Sequence, residues 1–374
     1  MKKVLILSFS TIRSDPRVMR QVRLLERSYR VTVSGFGKGP DADIEYIGLE
    51  TPRVSLPRKM IWAIKLFSGH FDSYYWNLPQ VRDGFEAIRG RNFDLLVAND
   101  VAALPLALEL AGKAPVLVDA HEYAPREFED KWLWRLLFGP YHHELCRRYL
   151  PRAAAMVTVC QGIADEYARH YGVSPLVVHN APMHQRLLPS PTEPGRIRLI
   201  HHGAAIRSRH LEAMIDMMKH LDNRFTFDFM LMETDAACMG DLRRRAAGDG
   251  RIRFIPAVPM ADICRTINKY DVGVYLLPPV SFNHQHALPN KLFEFIQARL
   301  AVAIGPSPEM ARIVRDYSLG VVADSFAASA LAESLEKLTD DSIAACKRAA
   351  GRAARELSFE VAGQTLLEAV ERLV

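Results

Sequence analysis

The chain has 374 residues, 49% of them hydrophobic and 24% charged, with a formal net charge of +5. That length exceeds one ordinary domain core, and the balanced composition without low-complexity tracts excludes disordered and fibrous classes. The excess positive charge sits in residues 1–190, which carry 25 Lys+Arg against 20 Asp+Glu, while residues 191–374 carry 23 of each.

The opening MKKVLILSFS reads as a buried first strand, because polar Ser8, Ser10, Thr11 and Arg13 follow at once without the cleavage site of a signal peptide. Further strands are predicted at 30–34, 95–98, 116–119, 156–159 and 176–179, with helical patterns between them. Ser14, Asp15 and Pro16 form a helix start that carries Arg17 and Arg20 on its first turns. The four prolines of 182–194 mark an interdomain linker. A second series of strands follows at 197–201, 226–230, 252–255, 272–275, 301–304 and 320–322. Alternation of this kind is the signature of parallel sheets covered on both faces, and two such halves place ligand-binding loops at the C-terminal ends of their strands.

Two stretches break the alternation. Residues 57–78 combine Arg58, Lys59 and Lys65 with Met60, Ile61, Trp62, Phe67, Phe71, Tyr74, Tyr75 and Trp76, and residues 131–152 repeat the flavour with Trp132, Trp134, Arg135, Phe138, Tyr141, Arg147 and Arg148. Helices packed on a sheet and helices lying at a membrane surface share this composition, so both readings stay open. No stretch reaches the roughly 18 to 20 uninterrupted apolar residues of a membrane span, and the expected location is cytoplasmic, with contact at the cytoplasmic face of the inner membrane as the alternative to core packing. Five cysteines far apart, with no C-x-x-C spacing, suggest neither disulfides nor a zinc site.

The richest chemistry lies in 270–307, where VGVYLLP leads through SFNHQHALPN into KLFEFIQARL and the strand AVAIGPSPE. Asn290 is a predicted N-cap, and Pro289 before it stops any upstream helix. The N-terminus of such a helix attracts anions, Lys291 adds a charge in its first turn, and Glu294 lies on the same face, where a carboxylate can accept both hydroxyls of a ribose. A diphosphate beside a diol describes a nucleotide sugar. A capped helix with an ion pair between Lys291 and Glu294 is the alternative reading of the same residues.

LPNKLFEF resembles the donor-site motif of glycosyltransferase family 4, and SDPRVMRQVRLL, VLVDAHEY, VTVCQGIADEYARHYGV, VVHNAP and HHGAAIRSRHLEAMI resemble family segments in the expected order, so the likeness covers nearly the whole chain. It implies a GT-B fold: two Rossmann-like α/β domains facing a central cleft, here 1–185 for the acceptor and 186–357 for the donor, with a terminal helix, 358–374, crossing back to the first domain. It implies transfer from a UDP- or GDP-linked sugar with retention of configuration and without a metal ion or other cofactor.

Carried over by residue, Glu294 matches the second glutamate of the family's Glu, seven residues, Glu pattern, and His286 stands where the first is expected. Gly203, Arg207 and Arg209 match the segment that meets the diphosphate, and Leu288, Pro289, Asn290 and Lys291 complete the donor site. His121 matches a histidine facing the reacting sugar; with Glu294 it is the expected catalytic pair, while Asp100, Glu122 and Arg17 are expected on the acceptor side. The implied partner besides the donor is a glycan or polyprenyl-linked acceptor, as in bacterial surface polysaccharide synthesis. Nucleic acid is not expected, since the basic residues form no recognisable module. An NAD-dependent dehydrogenase is disfavoured because neither half shows G-x-G-x-x-G after its first strand. A nucleotide-sugar epimerase of the same fold, or a silent nucleotide-sugar binder, remain the competing classes.

Overall fold

A computed structural model describes residues 1–40, 43–52 and 54–374. The chain divides into two compact units: Met1–His179 with Ser281–Asn283 and Ala362–Val374, and Asn180–Val280 with His284–Val361.

The first unit runs β1 (Lys3–Thr11), α1 (Pro16–Leu25), β2 (Arg30–Phe36), β3 (Glu45–Leu49), α2 (Leu56–Phe67), α3 (Phe71–Tyr75), α4 (Pro79–Ile88), β4 (Leu95–Asn99), α5 (Leu104–Ala111), β5 (Val116–Ala120), α6 (Trp132–Tyr149), β6 (Ala155–Thr158), α7 (Gln161–Tyr171) and β7 (Leu176–Val177). Its sheet is parallel throughout, in the order β3-β2-β1-β4-β5-β6-β7. Val4 to Leu7 and Leu95 to Ala98 are fully buried, as continuous apolar runs must be when helices cover both faces. Asp15 caps α1 by accepting from the backbone of Arg17 and Val18, with Pro16 at the first helical position, so the helix starts where the sequence places it. Two details differ from the sequence expectation. Glu45–Leu49 forms an edge strand that was not predicted, and the strand predicted at 176–179 holds only Leu176–Val177.

The chain continues through β8 (Ile197–Ala204), α8 (Glu212–Met217), β9 (Phe225–Met232), α9 (Ala236–Ala246), β10 (Ile252–Ile255), α10 (Ile263–Ile267), β11 (Val272–Tyr275), α11 (Phe282–Gln285), α12 (Asn290–Gln297), β12 (Ala301–Ile304), α13 (Pro308–Asp316), β13 (Gly320–Val322), α14 (Ala328–Glu336), α15 (Asp340–Ala353) and α16 (Phe359–Glu371); Ser281–Asn283 and α16 from Ala362 onward belong to the first unit, and the rest forms the second unit. Its parallel sheet has the order β10-β9-β8-β11-β12-β13. Phe225, Phe227 and Phe229 alternate into one fully buried layer beneath α8 and α14. On the other side Phe295 of α12 lies against Gly273 of β11 so closely that a Cβ there would stand 2.3 Å from the ring. The missing side chain lets α12 sit down on the sheet, and that seat fixes where the start of the helix points.

In both sheets the chain reverses its winding beside the first strand, between β1 and β4 in one unit and between β8 and β11 in the other. Ligands of open α/β sheets bind outside the strand ends at such switch points.

Candidate donor and acceptor sites

At the switch point of the second unit, the end of β8 brings His201, His202 and Gly203 beside α12. Gly203 has φ of 137°, and a Cβ there would lie 3.2 Å from Lys291 Nζ and 3.7 Å from Arg209 Nη1. The glycine therefore makes room for Lys291, with Arg209 in contact distance of the same point. Lys291 is buried, its ammonium 3.2 Å from His201 Nε2 and 4.0 Å from the centre of the Tyr275 ring. His201 donates from Nδ1 to the carbonyl of Val274 at 2.9 Å, which leaves Nε2 as the acceptor facing Lys291. Burial, and then the charge of Arg209, hold Lys291 well below the usual lysine range, against a smaller opposing pull from Glu294. His202, pushed down to about 3 by burial and by Lys291, is a neutral imidazole whose Nε2 stands 3.4 Å from Glu294 Oε2. Glu294 is itself buried.

The helix end departs from expectation in one respect. Pro289 is the N-cap, Asn290 is already the first helical residue, and no side chain caps α12. Arg207 separates from the cluster: its guanidinium pairs with Asp241 of α9 at 3.0 Å on the exposed surface. Leu288 is buried. His286 is half-buried with Nδ1 3.7 Å from Glu309 Oε1, and Glu309, buried in the first turn of α13, also pairs with Arg312. Glu309 thus puts a carboxylate behind the position where the family pattern would have one.

In the first unit, His121 follows β5 and Asp100 follows β4. Asp100 has φ of 64°, a left-handed conformation that costs a non-glycine residue energy and recurs at functional sites. Its Oδ1 accepts from the backbone N–H of His121 at 3.0 Å, and its Oδ2 lies 3.4 Å from His121 Nδ1. On the ring's other side Nε2 is 3.1 Å from Asn99 Oδ1. Asn99 turns its amide nitrogen to Gln21 Oε1, 3.0 Å away, and Gln21 in turn donates to Asp119. Oδ1 of Asn99 is then an acceptor only, so His121 carries a proton on Nε2.

Arg17 belongs to the buried end of the same network. With 4% exposure it donates from Nε and Nη2 to Asp119 and from Nη1 to the carbonyl of Val178 at 2.9 Å, so its guanidinium is held within the core. Glu122 is exposed beside His121. Glu127, not singled out from the sequence, is pushed up to about 8 by burial and by the charges of Glu122 and Asp100. Among the described residues no group of three His, Cys, Asp or Glu side chains is arranged to hold a metal ion.

A cavity of about 660 Å³ opens among α4, α5 and the end of α6, lined by Trp76, Arg82, Phe85, Glu109, Arg148 and Tyr149 among others. It includes no candidate donor or acceptor residue, and the switch points carry the stronger chemical argument.

Solved structures with the same architecture align over the full chain. HepE of Anabaena in complex with UDP-glucose superposes with a TM-score of 0.71 at 14% identity, covering 100% of both chains. Sucrose-phosphate synthase of Thermosynechococcus elongatus superposes with a TM-score of 0.71 at 12% identity, covering 100% of this chain and 99% of that one. An α,α-trehalose-phosphate synthase (UDP-forming) of Burkholderia vietnamiensis gives 0.71 at 13% identity, with 100% of both covered. Two Rossmann-like units with these neighbours define the GT-B fold. Residues 18–182 match the model of Glycosyltransferase Family 4. Among curated protein sequences none matches the chain.

Proposed function

We propose that the protein is a retaining glycosyltransferase that moves a sugar from a nucleoside-diphosphate donor to a glycan or polyprenyl-linked acceptor in bacterial surface polysaccharide synthesis, at the cytoplasmic face of the membrane. The observation that carries the reading is the convergence of Lys291, from the first turn of α12, and Arg209 on Gly203, at the sheet's switch point, with Glu294 three residues along the same helix. Two cations and a helix N-terminus suit a diphosphate, and a buried carboxylate suits the ribose diol. UDP is the nucleotide named with HepE and with the trehalose-phosphate synthase, which favours UDP over GDP here.

In this reading the second unit holds the donor and the first presents the acceptor past His121. The bond from the anomeric carbon to the diphosphate breaks while the acceptor hydroxyl adds from the same face, its proton passing to the departing diphosphate. Lys291, Arg209 and the helix dipole meet the charge that develops on the leaving group, the part a metal ion takes in other transferases, so no metal is required. His121, with a proton fixed on Nε2 and Asp100 behind Nδ1, orients the acceptor.

His286 in place of the first family glutamate favours one second reading, a protein that binds the nucleotide sugar without transferring it. Calorimetric titration of UDP, GDP and their sugar conjugates into the wild type and Glu294→Ala, without added metal, tests the donor site. Micromolar binding of one nucleotide, lost in the variant, is expected; no binding of any of them overturns the site. Turnover of the bound sugar nucleotide then separates transferase from silent binder.

A further inference from the structure

The outer face of α2 is apolar. Leu56, Met60, Ile64 and Phe67 recur at helical spacing and are 72%, 62%, 66% and 76% exposed, with Ile61 beside them. The helix does not lack an inner face: Leu66 is buried, and Trp62 packs edge-on against Tyr74 with ring centres 5.7 Å apart. Helices covering a sheet ordinarily turn their apolar stripe inward and their polar residues to water, so α2 carries a second stripe that its own core does not use. Beside it, the first turns of α6, which packs against α2, expose Trp132, Leu133 and Leu136. Exposed apolar residues on two helices that pack together are the kind that mark an interaction surface.

The charges around this face have one sign. Between Leu56 and Phe71 stand Arg58, Lys59 and Lys65, between Lys131 and His143 stand Lys131 and Arg135, and neither stretch contains an aspartate or glutamate. Lys59, Lys131 and Arg135 are exposed. The bordering carboxylates are largely neutralised by arginines, Asp72 by Arg148, Glu144 by Arg147 at 2.7 Å and Glu129 by Arg126 at 2.5 Å, and Asp130 lies outside the helix. Pairing this face with a second copy of itself would set cations against cations, which disfavours a dimer. A bilayer bearing anionic headgroups offers both an apolar interior for the stripe and negative charge for its flanks.

We propose that α2 and the first turns of α6 form a platform that seats the protein on an anionic phospholipid surface, with Leu56, Met60, Ile64, Phe67 and Trp132 entering the acyl boundary. The platform stands on exposure and charge alone and does not depend on the donor chemistry. Cosedimentation of the full chain with vesicles of phosphatidylcholine, alone or mixed with phosphatidylglycerol, tests it. Binding to the mixed vesicles, weaker by at least about tenfold on phosphatidylcholine alone and in Ile64→Glu/Phe67→Glu, is expected. Both side chains are exposed, so the variant should keep the wild-type melting temperature and nucleotide affinity. Failure of the wild type to bind, binding indifferent to the double substitution, or a dimer in light scattering that the substitution dissolves would each overturn the proposal, the last by assigning the face to a second copy.

Discussion

Arg17 and Asp119 meet in a two-point pair, Nε to Oδ2 at 2.8 Å and Nη2 to Oδ1 at 2.6 Å, with both side chains almost wholly removed from solvent. Such a pair adds little net stability over an apolar replacement, because both ions lose their water, but either partner left alone is a buried unpaired charge. Asp119→Ala should therefore cost about 3–5 kcal/mol in urea unfolding. The double variant Arg17→Met/Asp119→Leu should recover much of that loss. A double variant as unstable as the sum of its singles would show that the two residues do not act as a pair.

Continuous apolar runs such as 272–275 and 301–304 made the central strands legible, since a strand buried on both faces leaves little choice of residue. The edge strand Glu45–Leu49 was not, because its burial is partial and its first residue is a charged one satisfied by Thr32 and Arg91 across the sheet. The helix start at 289–291 and Glu294 were readable from spacing, and Gly203 from the family resemblance. What spacing does not encode is direction: Arg17 and Arg207 looked alike as basic residues near strand ends, yet one is drawn inward by Asp119 and the other outward by Asp241. His201, His202, Glu127 and Glu309 acquire their settings only from residues distant in the chain, and no local pattern marks them.

Lys291 links nucleotide binding to a proton. Its ammonium is disfavoured by burial and by Arg209, with neutral His201 and the Tyr275 ring as its other neighbours and Glu294 as the one compensating charge. A diphosphate beside it favours the charged form, so its pKa is higher in the complex than in the free protein. Between those two values binding takes up a proton, and affinity falls as pH rises. Titration of UDP in buffers of different ionisation enthalpy should give heats that reveal net uptake, and Lys291→Met should abolish the buffer dependence while weakening binding. Heats independent of buffer in the wild type would contradict the linkage.

For His121 the expected loss is in turnover and not in donor affinity, because the ring belongs to the first unit and Gly203, Arg209, Lys291 and Glu294 to the second. His121→Ala should lower kcat by about 10²- to 10⁴-fold with the calorimetric affinity for nucleotide unchanged. Asp100→Asn keeps an acceptor for the backbone of His121 but withdraws the charge facing Nδ1, and should lower kcat less than His121→Ala does. Unchanged turnover in His121→Ala would remove the histidine from the mechanism.

Glu127 gives a stability test that needs no substrate. Burial, with Glu122 and Asp100 adding like charge, pushes its carboxyl up to about 8 from an ordinary value of 4.5. The folded state therefore holds this proton more tightly than the unfolded chain. The stability it contributes is fully present below pH 4.5 and is lost as pH rises through about 8. Glu127→Gln keeps the shape and removes the titration, so its melting temperature should decline less than that of the wild type across this window, and it should be the more stable protein at about pH 9. Other groups titrate in both proteins alike and cancel in the difference. Parallel melting profiles for the two would mean that the carboxyl ionises at its ordinary value and that the three acidic side chains beside His121 do not crowd one another.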